Sequence, residues 1–350
     1  MQRTSERKSI AKEVKERVTA PKEKAAEYKG NTEKMTSTGS TLLDLAISGG
    51  RVRGGGIPAG IMVEIFGPES SGKTVLLCEI AGYIQRAGGQ VLFHDPEARL
   101  NTQFAQIFDL DTDEMEYTNP DTVTEVFASI RNWIPDNGQV NGVITDSLAA
   151  LSTELEMGNE EGDKMGQRRA KEFSEGFRKH NRLLVKSNTL MVCSNQIREN
   201  VDRPSRFSPK YTAPGGKAIG FYSSLRLRTS KVGTLTRSQK RKGKEHKVVY
   251  AIVVEVEVFK SSVWHPMRTA EITIDFEYGI DDVRDCLKYL KTMDGTSVFC
   301  IGDRKLSNSL ADSIAIVEKE GLQDELREAV IDVWEELEEG FKVERMKKKR

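Results

Sequence analysis

The chain has 350 residues, and its 53 Lys and Arg balance 53 Asp and Glu. The length fits about two domains, and a net charge of zero means that any attraction to a polyanion must come from how charge is distributed. The cysteines at 78, 193, 286 and 300 share no CxxC spacing, which excludes a disulfide scaffold and a cysteine-rich zinc module.

No apolar run approaches the ~20 residues of a membrane span. The charged start MQRTSERKSI has no apolar signal segment. These features predict a cytoplasmic protein in a reducing compartment, without membrane contact. Over residues 1–35, Ile10, Val14 and Val18 fall on one stripe of a helix that Pro21 ends. A lone helix of that length is marginal in water, so it is expected to pack on its own body or on a neighbouring subunit.

From 36 to 281 apolar, strand-like runs recur: IMVEIF (61–66), QVLFHD (90–95), NGVITD (141–146), TLMVCSN (189–195), SLRLRT (224–229), VVYAIVVEVEVF (248–259) and AEITIDF (270–276). Amphipathic helical runs separate the early ones. Alternation of this kind predicts an α/β core, a mostly parallel twisted sheet flanked by helices. The later strands follow one another directly, which predicts an antiparallel edge. Residues 282–340 read as a small, mainly helical C-terminal domain, with Val330, Val333, Trp334 and Leu337 on one helix face. RMKKKR then closes a basic tail over 341–350.

The strongest motif is Gly67-Pro68-Glu69-Ser70-Ser71-Gly72-Lys73-Thr74, which matches GxxxxGK[ST] between an apolar strand and a helical run. Glycines let such a loop turn its N–H groups toward phosphate oxygens. Lys73 supplies charge for the β- and γ-phosphates, and the Thr74 hydroxyl can ligate Mg²⁺. The helix N-terminus behind the loop also favours an anion. Asp146 ends the strand VNGVIT and reads either as a second Mg²⁺ partner or as a cap of the next helix. Glu97, in Asp95-Pro96-Glu97, closes another strand at the same sheet edge. It can polarise an attacking water, or be a solvated loop acid. Gln196, in NQIR, can hydrogen-bond a γ-phosphate. Two long segments without periodicity, 154–171 and 199–215, follow Asp146 and Gln196, and loops of that length are usually functional or disordered.

Together these residues resemble the bacterial-type RecA recombinases. GPESSGKT has the family's own form of the phosphate loop, and STGSTLLDLAISGG (37–50), GIPAG (56–60), NQIR and GGKAIGFYSSLRLR (215–228) are similar to its flanking segments. The resemblance covers about 36–285 and identifies a divergent member. It implies an ATP-dependent DNA recombinase that polymerises on single-stranded DNA as a helical homopolymer, with ATP·Mg²⁺ between subunits, and that pairs this strand with a duplex. By position it makes Glu97 the water-activating carboxylate, Phe104 an adenine-stacking aromatic and Gln196 the γ-phosphate sensor. Met165 and Val201 become apolar wedges in the first and second DNA loops. Arg168, Arg169, Lys171, Arg178 and Arg198 become candidate phosphate or coupling residues, each also readable as a plain surface charge, and Gly215 and Gly216 become candidate DNA contacts.

The chain departs from the family pattern at several places. The resemblance implies two lysines reaching across to the neighbour's ATP, but FKSSVWHP has Lys260 and then Ser262. KGNTEKMTSTGS shows no strand for pairing with the next subunit, and RVRGGG (51–56) looks like an insertion. The run TRSQKRKGKEHK (236–247) holds six Lys/Arg against one Glu and reads as a basic hairpin. It is either a contact for duplex DNA or a partner, or a solvated turn. Two other functions fit the same core: a filament-forming DNA-binding scaffold with weak hydrolysis, and a ring-shaped DNA motor ATPase.

Overall fold

The computed structural model describes residues 33–133, 135–158, 165–199, 211–212, 216–343 and 345, with backbone alone at 165, 166, 198, 199, 211, 212, 216 and 217. Strand β1 (Met35–Thr36) pairs antiparallel with β2 (Ile57–Pro58), and helix α1 (Thr41–Ser48) lies between them in the chain. KGNTEKMTSTGS thus holds a short strand that pairs within this chain, and the reading that it offers none to the next subunit stands as it was. A two-residue strand is too short to leave an alternating pattern in the sequence. Ser40 caps α1 by accepting the Leu43 N–H.

The core then alternates strand and helix. In chain order it runs β3 (Met62–Gly67), α2 (Lys73–Arg86), β4 (Val91–His94), α3 (Thr102–Gln106), β5 (Glu116–Thr118), α4 (Val123–Trp133) and β6 (Asn141–Thr145). The short α5 (Glu154–Met157) and the long α6 (Met165–Lys186) lead to β7 (Thr189–Gln196). β8 (Arg198–Glu199) and β9 (Tyr211–Thr212) pair with each other ahead of α7 (Gly216–Tyr222). The antiparallel strands β10 (Leu225–Arg241), β11 (Lys244–Ser261), β12 (Thr269–Asp275) and β13 (Gly279–Ile280) complete the core.

One nine-stranded sheet results, in the order β13-β12-β11-β10-β3-β7-β6-β4-β5. Strands β10, β3, β7, β6, β4 and β5 run parallel, and β10 to β13 form the antiparallel edge. The predicted core architecture, a mostly parallel sheet flanked by helices, is therefore the observed one, while the N-terminal helix expected around Ile10, Val14 and Val18 lies outside the described residues. Strand β10 runs to Arg241, twelve residues past the predicted end at Thr229. Beyond Leu235 both of its faces are polar, so no hydrophobic alternation marks the extension.

Helix α2 covers one sheet face, burying Leu76, Leu77, Ile80 and Ile84 against Val63, Ile65, Phe93 and Ile144. Helices α4 and α6 cover the other with Val126, Phe127, Phe173 and Phe177. A third cluster belongs to α8 (Asp282–Asp294), the strand pair β14 (Cys300–Ile301) and β15 (Arg304–Lys305), α9 (Leu310–Glu320) and α10 (Gln323–Gly340). On α10 Val330 is buried and Val333 and Trp334 are half-buried, but Leu337 is exposed. Trp264 meets Trp334 edge-on at 5.7 Å and Arg268 lies over the Trp264 ring, so both tryptophans serve packing. Arg53, in the RVRGGG turn, reaches Glu328, Asp332 and Glu335 on α10.

Buried carboxylates tie these layers together. Asp282 accepts the N–H and hydroxyl of Thr41, both at 2.7 Å. Asp285 accepts both donors of Thr273 at 2.6 Å. Glu79 accepts the Ile280 N–H at 2.9 Å, and burial pushes its carboxyl up to about 7. A raised carboxyl favours the folded state at pH below its unfolded value, and that advantage is lost as pH rises through about 7. Glu79→Gln keeps the acceptor without the charge. We expect it to melt above the native chain by roughly 1–3 kcal/mol near pH 8 and to lose that advantage near pH 5. Thermal unfolding at the two pH values checks this, and an advantage independent of pH would count against it.

Candidate functional site

Four strand ends converge at one edge of the parallel sheet, the place where open α/β sheets bind ligands. β3 leads into the loop 68–72, β4 into Asp95 and Glu97, β6 into Asp146, and β7 ends at Gln196. They line a cavity of about 550 Å³ together with Lys73, Thr74, Arg99, Ser147, Ser194, Lys231, Ile252, Ile274 and Phe276. The edge thus gathers Glu69, Ser70, Ser71, Gly72, Lys73, Thr74, Glu97, Asp146 and Gln196, which lie up to 127 positions apart in the chain.

The loop's shape depends on its neighbours. Gly72 caps α2 with φ +82°, and a Cβ there would lie 2.5 Å from Ile274 Cδ1. A Cβ on Gly67 would lie 2.3 Å from Thr229 Oγ1. Ser71 Oγ donates to the Pro68 carbonyl at 2.7 Å and shares a 2.7 Å hydrogen bond with Thr229 Oγ1. Strand β10 therefore braces the loop from the side, a role for Thr229 that local sequence does not announce.

Lys73 Nζ donates to the carbonyls of Gly67 (3.2 Å) and Pro68 (2.6 Å). Burial lowers its pKa, while Asp146, Glu69 and Glu97 oppose that fall. Thr74 Oγ1 donates to Asp146 Oδ2 at 2.6 Å, and Ser194 Oγ donates to Asp146 Oδ1. Asp146 is thus held by β7 and α2 rather than capping a helix. Glu97 Oε1 accepts the Ser147 hydroxyl at 3.2 Å, and Oε2 pairs with Arg99 at 2.7 Å. Asp95 fixes the turn that carries Glu97, accepting the N–H groups of Arg99 and Leu100 and the Tyr117 hydroxyl, each at 2.8 Å.

A hydroxyl and a carboxylate side by side are the hard oxygen donors Mg²⁺ takes, its remaining positions normally going to water and phosphate. No cluster of three or more His, Cys, Asp or Glu among the described residues could hold a metal. The chemistry of Thr74 and Asp146 fits a Mg²⁺ carried in with a nucleotide phosphate.

Phe104, assigned to the base, and Lys260, assigned to the neighbouring subunit's ATP, both lie outside the wall of this chain's own cavity. Phe104 is half-buried on the core, edge-to-face with Phe108 at 5.0 Å, and is not part of the cavity wall. Among the described residues the aromatic in that wall is Phe276, with Ile252 and Ile274 beside it. The sequence offered a signal, an apolar residue at the end of the run AEITIDF. Lys260 Nζ donates to the carbonyls of Gly220, Phe221 and Ser223 at 2.9, 3.1 and 2.7 Å. It closes the C-terminal end of α7, where a cation complements the helix dipole. Burial and the nearby Arg226 lower its pKa.

Among the residues assigned to DNA, Arg168, Lys171 and Arg178 are exposed on α6. Their spacing of three and seven keeps them on one stripe, opposite the buried Phe173 and Phe177. Lys171 lies 3.9 Å from Glu175. Arg169 turns inward and pairs with Glu156 at 3.0 Å, where Glu156 also completes a capping box with Thr153. Met165 and Gly216 open α6 and α7, and Arg198 lies in β8, described by backbone alone. Val201 and Gly215 lie outside the described residues. No helix among the described residues is long and apolar enough to cross a membrane.

Residues 12–281 match the family model described as RecA N-terminal domain. The chain is 31% identical over 302 residues to "Protein RecA" of Deinococcus radiodurans, covering 85% of this chain and 79% of that protein. It is 33% identical over 298 residues to "Protein RecA" of Campylobacter jejuni subsp. doylei, covering 84% and 82%. To "Protein RecA" of Borrelia hermsii it is 33% identical over 295 residues, covering 83% and 79%.

Proposed function

Because the chain belongs to the RecA family of DNA recombination and repair proteins, we propose that it is an ATP-dependent recombinase. In this reading it polymerises on single-stranded DNA, with ATP at the subunit interfaces, and exchanges that strand with a homologous duplex. The observation that carries the reading is the meeting of Lys73, Thr74, Asp146, Glu97 and Gln196 around one cavity. Phosphoryl transfer asks little covalent chemistry of a protein and much positioning and charge.

The N–H groups of the loop 68–72 and the Lys73 ammonium would cradle the phosphates. Thr74 and Asp146 would hold Mg²⁺, which when bound neutralises charge on the phosphate oxygens. Glu97, oriented by Ser147 and Arg99, would hold the attacking water and take its proton. Gln196 ends β7 and is followed by the 199–215 segment, so a contact to the γ-phosphate there would bias how that segment is ordered. Exposed Arg168, Lys171 and Arg178 supply charge for phosphates of the bound strand. Residues 36–281 would act as the ATPase core, 1–35 as a subunit contact and 282–340 as a small accessory domain.

For the base we favour Phe276, which lines the cavity, over Phe104, which packs on the core. Phe276→Ala is expected to raise the KM for ATP about tenfold with kcat largely kept, since stacking holds the base and not the reacting phosphate. Steady-state kinetics decide it, and an unchanged KM returns the base to Phe104.

The cis engagement of Lys260 and the serine at 262 favour a second reading, a filament scaffold with weak hydrolysis. Joint-molecule formation between a circular single strand and a homologous linear duplex separates the two. A recombinase gives joint molecules that require ATP. A scaffold coats the single strand and gives none.

A further inference from the structure

We propose that one face of the ribbon formed by the distal ends of β10 and β11 is a docking surface for duplex DNA. This deepens the recombinase reading, on which it rests for the source of the duplex, by assigning a surface to the second DNA molecule. The ribbon stands clear of the sheet. Strand β3 pairs with β10 only over Leu225–Arg228, and β12 pairs with β11 only over Ala251–Glu257. Among the described residues, Thr236–Arg241 has no strand partner but Lys244–Val249, and every residue from 236 to 249 is exposed. Lys242 and Gly243, both at positive φ, make the tight turn. Six paired residues per strand span about 20 Å.

The register sorts the charges, because residues directly opposite in an antiparallel pair share a face and successive pairs alternate. One face holds Thr236 with Val249, Ser238 with Lys247, and Lys240 with Glu245. Glu245 offsets its lysines there, with Lys247 Nζ at 3.7 Å. The other face holds Arg237 with Val248, Gln239 with His246, and Arg241 with Lys244, and it has no acid. Arg237 is tied down at the ribbon's base by Asp275 and by the Tyr250 ring. Arg241 and Lys244 lie directly opposite each other at the tip, an arrangement that costs stability unless an anion is shared between them.

A polyanion answers that arrangement, and the shape selects a duplex. The major groove of a duplex admits a two-stranded β-ribbon. Single-strand binders add aromatic platforms for stacking, and 236–249 contains no aromatic except His246. Gln239 and His246 sit behind the cations as further hydrogen-bonding groups toward the groove.

The test compares the full chain with two doubly substituted variants, Arg241→Ala with Lys244→Ala and, on the opposite face, Lys240→Ala with Lys247→Ala. Fluorescence anisotropy follows a duplex of about 30 base pairs between roughly 50 and 200 mM salt. The Arg241/Lys244 variant should flatten the log–log salt slope by about 2 and weaken duplex binding. Hydrolysis stimulated by single-stranded DNA should persist, and the Lys240/Lys247 variant should change duplex binding much less. Unchanged duplex affinity in the first variant, or equal losses from both faces, overturns the proposal. So does a native chain that does not bind duplex. If the face-specific loss appears but no joint molecules form with the native chain, the recombinase reading fails while the surface stands.

Discussion

Glu97→Gln is expected to cut DNA-stimulated ATP turnover by about 10²–10⁴-fold, the usual contribution of a positioned general base. The substitution is nearly isosteric, so an amide oxygen can still accept the Ser147 hydroxyl that lies 3.2 Å from Oε1. What it removes is the negative charge that polarises water and takes up its proton. The groups assigned to nucleotide binding, the loop 68–72, Lys73, Thr74 and Asp146, are untouched, so the KM for ATP should stay within about threefold. DNA binding in the presence of ATP should persist or lengthen, because hydrolysis is what would release the DNA. Turnover within a few-fold of the native chain would remove Glu97 from the mechanism and leave it as the partner that holds Arg99.

Arg226→Ala carries the largest expected cost in stability, about 3–5 kcal/mol, the range for a buried ion pair that loses one partner. Glu64 on β3 is 1% exposed, and Arg226 Nε lies 2.6 Å from its Oε2. Asn195 Nδ2 donates to the other carboxylate oxygen at 2.9 Å. The guanidinium also lies over the Phe66 ring at 4.4 Å, so truncation strips packing as well as charge. Denaturant unfolding should show the loss. The pair Glu64→Gln with Arg226→Met should recover most of it, because the amide keeps an acceptor for Asn195 and the charge disappears. A loss below about 1 kcal/mol in the single variant would mean that water reaches Glu64 and screens it.

The parts of the site that were legible in the sequence are those whose chemistry is local. GPESSGKT lies in one loop, and a short apolar run ending in Asp146, or leading into Asp95 and Gln196, places a side chain at the C-terminal edge of a parallel sheet whatever its neighbours are. What escaped the sequence is set by long-range register. Thr229 braces Ser71 only because β10 runs parallel beside β3, and Ser194 reaches Asp146 only because β7 and β6 are adjacent. Phe276 enters the cavity through the antiparallel edge, whose order no local motif states. Arg169 pairs with Glu156 on another helix, a contact that no local pattern states. The fold class followed from strand–helix alternation. The distal part of the β10–β11 ribbon did not, because a strand exposed on both faces leaves no hydrophobic period.

In the proposed recombinase DNA and nucleotide act on each other through this one sheet edge, and the ATP turnover of the native chain with and without single-stranded DNA, at saturating Mg²⁺, reads that coupling. Turnover should be slow alone and rise clearly when single-stranded DNA is added. A rate that DNA leaves unchanged, in a chain that binds both ATP and DNA, would contradict it.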